Sequence, residues 1–570
     1  MSVRGSGLTR AGMFVGLCAL GAALGCGDSS GAEADAASET GDGDGDGDGD
    51  GGDGEGDGDG DPGDGDGDPG DGDGDGDGDG DGDGDGDGDP PNPYPEPDAW
   101  GGTTGPGGPA VSFTPDQLYQ NCAYLDGGAG DTTDHHNLVV MFDGLLMMPW
   151  APEWGGGGIT FFNISDPCAP QAVGYGTSDK MRETHATGFA EVDGSWYAVV
   201  DEIVQPLLGF SGGLQLWDVS NTAAPSAVTE LELPGFLYPD AYARVTLSVF
   251  YQAPWIYVAG ADNGIYVVDA SDPLAPTLAK QYNFNPTHRA GQVQVVGNLL
   301  MVSAAEGPRT VMLDVSVPDN PQPIAGGDFS ILDSLDQPRE SYFSNWAGGY
   351  GFFAIKDGGG GILIWDLHDP SNPVFHAENK SGGNGGYVFP KDELAFVGES
   401  NIARIYDWSD PDEVTIVAEL DLDGDLDTLT PIGNVAVLSV DDEANPNQGS
   451  AIAPYAEQPD ADPPYVNFVW PPDGATDIKL SSRFGVTFNE MVEPKSAWAG
   501  SVRLYETDGD PDVTRVDGWI STQEAIVNFA PKQLLKPGTS YTFEITANGV
   551  VDYSGNPVEQ TFTASFTTAG

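Results

Sequence analysis

Three features of the sequence predict an all-β protein: a seven-bladed β-propeller that is followed by a β-sandwich and preceded by a disordered Gly-Asp linker. A strand-and-turn pattern recurs six times between residues 157 and 413. Almost no stretch has the 3.6-residue apolar period of an amphipathic helix. From Pro463 onward, alternating strands continue without the repeat for about 100 residues, which is the length of a sandwich domain.

The N-terminus predicts export. Two arginines precede an apolar run, residues 11–25, which is too short to span a bilayer and is typical of a secretory signal. The run ends in Ala23-Leu24-Gly25-Cys26, which resembles a bacterial lipobox, although Leu is more usual in the first position and a small residue in the second. The resemblance implies that residues 1–25 are removed and that Cys26 carries the lipid anchor. The alternative is an ordinary cleaved signal with an incidental cysteine.

Residues 26–109 form an acidic linker. Residues 41–89 contain 24 Gly, 23 Asp or Glu and 2 Pro, and nothing else. Because they offer no apolar side chain to bury, they predict a solvated, self-repelling tether rather than a calcium-binding β-roll. The whole chain has a formal net charge of −71 and only 20 Lys and Arg. Binding to nucleic acid is therefore not expected, since clustered cations are needed to neutralise phosphates.

The repeat consists of an apolar strand, a polar residue and a Pro-rich turn, with a pair of strands upstream. Three or four short strands in each unit predict a propeller blade. The polar residue is expected to accept backbone N–H groups of its own turn, a structural role rather than a catalytic one. It stands at Asn163, Asp218, Asp269, Asp314, Asp366 and Asp407.

The repeat segments GLQLWDVSNTAAP, GIYVVDASDPLAP and GILIWDLHDPSNP, which begin at residues 213, 264 and 361, resemble the LVIVD repeat. This family of bacterial propeller repeats occurs mostly in exported proteins, and it implies a cell-surface propeller over residues 110–460 without a common enzymatic activity. A seventh strand pair, at residues 428–442, is followed by one more strand but lacks the outermost one, which residues 116–125 could supply. Cys122 and Cys168 would then form a disulfide at the seam, since two cysteines left over in an exported chain usually pair.

Residues 463–570 carry the segments FGVTFNEMV, PGTSYTFEI and VDYSGNPV in that order. They resemble a bacterial Ig-like domain of the kind found in surface-layer and adhesion proteins. The resemblance implies a spacer or binding module. Asp552 and Asn556, in the last segment, are expected to shape a turn.

Candidate chemistry is confined to two places. Polar residues precede the first strands of several blades and should converge at one mouth of the central channel, as a divalent-metal site, a small-ligand site or a water-filled lining. These candidates are His135, His136, His185, His288 and Glu340. The second place is an acidic stretch that predicts either calcium ligands or a strand with one solvated face, at Asp421, Asp423 and Asp425.

No nucleophile elbow, phosphate loop, dinucleotide fingerprint or zinc helix is present in the sequence. The sequence therefore favours a lipid-anchored protein of the outer membrane or cell surface, whose propeller is a binding platform for protein or glycan partners. The alternative is a metal-dependent hydrolase at the channel mouth, using His136, His185 and Glu340. A purely structural envelope protein is a third interpretation. No cofactor is certain; a divalent metal or calcium is the candidate.

Overall fold

The computed structural model describes residues 107–570, except 128–137, 152–155, 183, 202–211, 236–245, 357–359 and 442–443. The predicted signal, Cys26 and nearly all of the linker lie outside the described residues. Within the described part the protein is built from β-strands, with a single 3-10 turn at Pro494–Ser496. None of the described residues forms a helix that is long and apolar enough to cross a membrane.

The described residues form seven blades of four antiparallel strands, which confirms the predicted propeller. A first strand, β1 (Ala123–Leu125), precedes the blades. Blades 1 to 3 contain β2 (Val140–Phe142), β3 (Leu145–Trp150), β4 (Gly157–Asn163) and β5 (Gln171–Ser178); β6 (Thr187–Val192), β7 (Ser195–Asp201), β8 (Gly213–Asp218) and β9 (Ser226–Glu232); and β10 (Ser248–Gln252), β11 (Trp255–Ala259), β12 (Ile265–Asp269) and β13 (Thr277–Tyr282).

The next three blades repeat this plan, and the last blade has only three strands of its own. Blades 4 to 6 contain β14 (Ala290–Val296), β15 (Leu299–Ala304), β16 (Arg309–Asp314) and β17 (Gln322–Ser330); β18 (Ser341–Ala347), β19 (Tyr350–Ile355), β20 (Ile362–Asp366) and β21 (Val374–Asn379); and β22 (Val388–Lys391), β23 (Leu394–Gly398), β24 (Ala403–Asp407) and β25 (Thr415–Leu420). Blade 7 begins with β26 (Leu426–Ile432), β27 (Val435–Val440) and β28 (Ser450–Pro454).

The N-terminal strand closes the ring. β1 pairs antiparallel with β28, so that Ala123 lies opposite Ile452 and Leu125 opposite Ser450. This is the outermost strand that the seventh unit lacks, and the predicted origin of that strand is confirmed. A disulfide between Cys122 and Cys168 ties the closing strand to the Pro-rich turn of blade 1.

The recurring polar residue of each repeat closes its own turn, as predicted. In all six units its side-chain oxygen accepts the backbone N–H two residues further on, at 2.8–3.0 Å. Asn163 makes the same bond as the five aspartates, because the bond needs only an oxygen acceptor. The pairs, with the accepting residue first and the donating residue second, are Asn163–Ser165, Asp218–Ser220, Asp269–Ser271, Asp314–Ser316, Asp366–His368 and Asp407–Ser409.

The C-terminal residues form an Ig-like β-sandwich, which confirms the second part of the predicted fold. Its two sheets have the strand orders β29-β30-β33-β32 and β31-β34-β35. Asp552 accepts the N–H groups of Ser554 and Asn556, both at 2.8 Å, and so shapes the predicted turn. The strands are β29 (Val466–Trp470), β30 (Phe484–Phe488), β31 (Val502–Glu506), β32 (Gly518–Gln523), β33 (Ile526–Pro531), β34 (Ser540–Ile545) and β35 (Phe562–Thr567).

The Ig-like domain lies across one end of the propeller channel, which we call the lower mouth. This end is formed by the turns between the first and second strands of the blades. Glu493 accepts the N–H groups of Asp143 and Gly144 in blade 1, where both residues have positive φ angles of 55° and 69°. In blade 2, β32 pairs with β6, so one sheet runs through both domains.

The turns of the other blades make equivalent contacts. Asn528 Oδ1 accepts from Gln252 in blade 3 at 3.0 Å and from the Gly297 N–H in blade 4 at 2.7 Å. The Gly348 N–H of blade 5 donates to Thr487, and Asp392 of blade 6 exchanges two hydrogen bonds with Asn489. In blade 7, Gly433 packs against Ser554 so closely that a Cβ would lie 2.7 Å from its hydroxyl.

Glu524, in the turn between β32 and β33, lies inside the lower mouth. Its carboxylate accepts hydrogen bonds from Asn345 at 2.7 Å and Gln294 at 3.2 Å, both on first strands of the propeller. Burial raises the pKa of Glu524 to about 7. The Ig-like domain thus reaches the channel lining with a titratable group.

Candidate functional site

The opposite end of the channel, the upper mouth, is where the first strands begin and the second strands end. Side chains from four blades gather there, and we call them the mouth cluster. Most are deeply buried: His185 is 5% exposed, Tyr387 3% and Asp427 5%. The mouth cluster is His185 and Asp201 of blade 2, Tyr342, Phe343 and Lys356 of blade 5, Tyr387 of blade 6 and Asp427 of blade 7.

His185 is held in one orientation by Asp201, the last residue of β7. The ring Nδ1 lies 2.9 Å from Asp201 Oδ2, while Asp201 Oδ1 accepts the backbone N–H groups of His185 and Ala186. The imidazole also stacks on Phe343, with ring centroids 5.6 Å apart. A carboxylate that fixes one ring nitrogen sets the orientation of the other, which is how histidines are positioned for ligand or proton contacts.

An aromatic wall continues from His185 across blades 5 and 6. Phe343 stacks on Tyr387, with centroids 4.0 Å apart and ring planes 14° from parallel. Tyr342 packs on the same Phe343 at 4.3 Å. The Lys356 ammonium lies 4.2 Å from the centre of the Tyr342 ring, which is the geometry of a cation–π contact. Flat apolar faces and a cation therefore stand side by side at the mouth.

Asp427 adds a buried carboxyl group on the other side of the cluster. Burial raises its pKa well above the usual range, and the nearby charges of Asp441 and Asp425 raise it further. Two glycines of blade 6 make room for it: a Cβ on Gly398 would lie 1.9 Å from the Asp427 carbonyl oxygen, and one on Gly386 would lie 2.5 Å from it. Asp427 is thus a buried carboxyl group with a raised pKa, and its backbone is fixed by close packing.

The Tyr387 hydroxyl is a buried polar group in the middle of the mouth cluster. It is buried, and it has no hydrogen-bond partner among the described residues. Burial raises the pKa of this hydroxyl, and the charges of Asp201 and Asp427 act in the same direction, so the hydroxyl keeps its proton. A buried polar atom without a partner costs about 1–3 kcal/mol, and functional sites are where such costs are tolerated.

The histidines predicted to meet at one mouth are not all described. His135 and His136 lie outside the described residues. His288 is buried in blade 4, where its Nε2 lies 3.2 Å from the Val302 carbonyl oxygen and its ring meets Phe284 edge-on. Burial lowers its pKa to about 4. Glu340 is exposed, and its backbone carbonyl accepts the N–H of Lys356. Only His185 of the described candidates belongs to the mouth cluster.

The calcium candidates occupy the connection that leads into blade 7. Asp421 accepts the Asn121 side chain through its backbone carbonyl, at 2.9 Å, and Asp423 accepts the Asn445 side chain. The backbone carbonyl of Asp425 accepts the N–H of Asp441 at 2.8 Å. These bonds give the stretch a structural role, and calcium binding there remains a prediction.

One group of three metal-ligating side chains occurs among the described residues, and it lies away from the upper mouth. Carboxylate oxygens of Asp460, Glu490 and Asp552 lie within 4.8 Å of one another. The Lys391 ammonium sits on this group, 2.7 Å from Asp460 and in contact with Glu490. Lys391 thus bonds two of the three carboxyl groups, and the group joins blade 6 to the Ig-like domain.

Most of the mouth cluster was missed by sequence reasoning, although the sequence contains a usable signal. Asp201 and Lys356, and Asp441 beside the cluster, each stand directly after an apolar stretch at the end of a second strand, in the segments YAVVD, FFAIK and VLSVD. Second strands run back to the mouth at which first strands begin, so a polar residue at their end faces the same opening. The aromatic residues give no such signal, because they resemble ordinary core residues.

Comparison with known proteins supports the two-domain fold. Residues 460–568 match the family model of a bacterial Ig-like domain, and residues 252–284 match that of the LVIVD repeat. The chain therefore contains both components that its sequence resembles. No curated protein matches the sequence.

Several solved structures are similar at low identity. The periplasmic gluconolactonase of Pseudomonas aeruginosa is 12% identical, with 55% of this chain and 95% of that chain covered and a TM-score of 0.40. A hypothetical selenium-binding protein from Sulfolobus tokodaii is 10% identical, with 74% of this chain and 95% of that chain covered and a TM-score of 0.40. Sqt1 of Saccharomyces cerevisiae is 9% identical, with 60% of this chain and 100% of that chain covered and a TM-score of 0.38.

Proposed function

We propose that this is an exported binding protein that holds a sugar residue of a surface glycan at the upper mouth of its propeller. The buried, unpartnered hydroxyl of Tyr387 carries the proposal. A sugar offers hydroxyl groups as donors and acceptors and a ring that lies flat on an aromatic face. Binding sites of this kind combine apolar or aromatic walls with a few fixed polar groups, as the mouth cluster does.

The charge of the mouth cluster narrows the choice of sugar. The acidic groups at the upper mouth are Asp201, Asp427 and Asp441, and the basic groups are Lys356 and His185. An acidic sugar would bring its own carboxylate close to that of Asp201, and juxtaposed like charges cost several kcal/mol, whereas a neutral or amino sugar avoids this repulsion. The favoured ligand is therefore a neutral or amino sugar, and a protein partner is the outcome to consider if glycans fail to bind.

The test is ligand-observed NMR with a glucosamine trimer and its N-acetylated form. The Tyr387→Phe variant keeps the ring stack and removes only the hydroxyl, so affinity should fall about tenfold, the effect of one buried hydrogen bond. Tyr282→Phe, in the outer strand of blade 3, is the matched control and should bind as the wild type does. Binding that is equal in the Tyr387→Phe variant would contradict the proposal.

A metal-dependent hydrolase is the second candidate function, and the His185–Asp201 pair favours it. In such a pair the carboxylate fixes the orientation of the imidazole, as it does for metal-ligating histidines, and Asp427 adds a buried carboxyl group whose pKa is raised well above its usual range. His136 and Glu340 complete the predicted set. Elemental analysis of protein dialysed without chelator should then find about one transition metal per chain, lost in His185→Ala. A metal-free protein would rule this candidate out.

We infer from the sequence that the protein is displayed on the outer membrane or cell surface. Residues 1–25 would direct export, Cys26 would carry the lipid, and residues 26–109 would hold the folded part away from the membrane. Incorporation of a labelled fatty acid into the wild type but not into Cys26→Ser, in cells that produce the protein, would support this placement. Equal labelling of both would refute it.

A further inference from the structure

A cleft of about 370 Å³ lies between the turn of blade 3 and the Ig-like domain, at the lower-mouth end of the molecule. It is separate from the mouth cluster, which lies at the other end of the channel. The propeller contributes Trp255 and Asp269 to its lining, and the Ig-like domain contributes Arg483, Trp519 and Lys532. Two indoles and two cations in one small cleft are unexpected in a chain with a net charge of −71.

Arg483 is the residue that gives the cleft its chemistry. It is only 3% exposed. Its Nε donates to Gln252 Oε1 at 2.6 Å, and its Nη2 donates to the Tyr257 hydroxyl at 3.0 Å and to the Val315 carbonyl. All three acceptors are uncharged, and the remaining nitrogen, Nη1, has no partner in the described part of the chain.

A buried guanidinium without a carboxylate is an incomplete arrangement. Buried charges in proteins are normally paired, because removal from water costs several kcal/mol that hydrogen bonds to neutral groups repay only in part. Among the described residues no carboxylate lies within ion-pair distance of Arg483. Arg483 lines the cleft, and Nη1 is the nitrogen left to donate a charge-assisted hydrogen bond to a carboxylate that enters it.

The walls of the cleft indicate the body to which that carboxylate is attached. Trp255 and Trp519 are both half-buried, and both line the cleft. The Lys532 ammonium lies 5.6 Å from the centre of the Trp519 ring, at the exposed rim. Aromatic faces accommodate flat or ring-shaped groups, and a rim cation attracts an anion from solution.

We propose that this cleft binds a carboxylate carried on a ring, with the carboxylate on Arg483, the ring between Trp255 and Trp519, and Lys532 at the entrance. Acidic sugars and aromatic acids share this chemistry. Asp269, which also lines the cleft, opposes the anion and sets an upper limit on its affinity. The cleft would give the protein a second recognition site with a charge preference opposite to that of the upper mouth.

Ligand-observed NMR titration of the folded chain with sodium glucuronate, sodium benzoate and neutral glucose tests the proposal. The two acids should bind at least tenfold more tightly than glucose. Stronger binding of glucuronate would identify an acidic sugar as the natural source, and stronger binding of benzoate an aromatic acid. Acids that bind no better than glucose would overturn the proposal.

Three variants localise the binding to the cleft. Lys532→Gln should weaken glucuronate binding about threefold to tenfold, because it removes an exposed cation. Asp269→Asn should strengthen it by a similar factor, because the amide keeps the turn acceptor and loses the opposing charge. Arg483→Lys should abolish it. Lys536→Gln, on the exposed surface next to Glu506, is the control. Unchanged affinity in both Lys532→Gln and Asp269→Asn would overturn the proposal, even if the Arg483→Lys variant fails to fold.

Discussion

At the scale of single residues, the recurring turn aspartate shows how one side chain stabilises a blade. Asp407 accepts both the N–H and the hydroxyl of Ser409, at 2.9 and 2.6 Å. These hydrogen bonds, that of the hydroxyl first, lower the pKa of Asp407, so the bonded form is the charged one. Aspartate in four of the preceding units, and Asn163 in the first, make the same backbone bond, which explains why an oxygen acceptor recurs at this position.

Asp407→Ala should therefore destabilise the protein by about 1–2 kcal/mol, the value of one or two charge-assisted hydrogen bonds at a partly exposed site. Asp407→Asn should recover most of that loss, since Asn163 performs the same task in the first unit. Denaturant unfolding measures both. The exposed Asp412→Ala is the control, and an equal loss in the alanine and asparagine variants would show that charge rather than turn geometry matters.

The buried glutamate of the lower mouth makes stability depend on pH. Burial raises the pKa of Glu524 from its ordinary 4.5 to about 7. A carboxyl group whose pKa is raised on folding favours the folded state below the unfolded pKa, and this contribution is lost as pH rises through the folded value. Glu493, whose pKa burial also raises to about 7, acts in the same window. The protein should thus lose stability between pH 4.5 and 7.

Glu524→Gln should remove part of this loss. The amide cannot ionise, so the variant should gain up to about 3 kcal/mol relative to the wild type at pH 8 and little at pH 4.5. Thermal unfolding at both pH values gives the comparison, with the exposed Glu559→Gln as control. A variant that is less stable than the wild type at pH 8 would show that the carboxylate is needed for its bonds to Asn345 and Gln294.

At the scale of elements, closure of the ring depends on one short strand. β1 has three residues, yet it completes blade 7 by pairing with β28. The disulfide between Cys122 and Cys168 holds this strand against blade 1 and closes a loop of 46 residues. A cross-link over that length removes chain entropy from the unfolded state that is worth about 4 kcal/mol in the chain-entropy account.

Cys122→Ser should lower the free energy of unfolding by up to about 4 kcal/mol. The double variant Cys122→Ser, Cys168→Ser should have the same free energy of unfolding as the single variant, because the first substitution already removes the cross-link. Denaturant unfolding of the oxidised wild type beside the two variants provides the values. A Cys122→Ser variant as stable as the wild type would indicate that β1 needs no cross-link to stay in place.

Elements were also where the sequence was most informative. Three features were enough to predict seven blades and a sandwich: the strand-and-turn repeat, the missing outer strand of the last unit, and the end of the repeat near Pro463. The docking of the sandwich was not predictable, because it depends on single polar side chains such as Asn528 and Glu493 that meet the turns of distant blades. Nothing in their local sequence marks them as contact residues.

At the scale of the whole molecule, the Ig-like domain makes the two channel ends different. At the lower mouth it contacts the turns of six blades and strand β6 of blade 2, so the ligand proposed for blades 2, 5, 6 and 7 is placed at the upper mouth. The mouth cluster could be anticipated only in part from the sequence: His185 was found through its place before β6, whereas Tyr387 and Phe343 looked like core residues. Their role depends on which ends of the strands remain uncovered.

The acidic character of the molecule should affect ligand choice at long range. Residues 99–570 carry 62 acidic and 18 basic side chains, which attract cationic ligands from solution and repel anions. Binding of a glucosamine trimer should therefore weaken as salt is raised from about 0.05 to 0.5 M, since screening shortens the range of that attraction. Binding of the neutral N-acetylated trimer should stay constant, and an equal loss for both sugars would contradict this electrostatic role.

The most direct test of the central claim is hydrogen–deuterium exchange of the full folded chain with and without the glucosamine trimer. The account predicts that the ligand slows exchange in the segments around His185, Phe343, Tyr387 and Asp427, whereas the turns beneath the Ig-like domain exchange slowly in both states and do not change. Protection that appears at those turns, or nowhere in the mouth cluster, would contradict the claim that the upper mouth is the binding site.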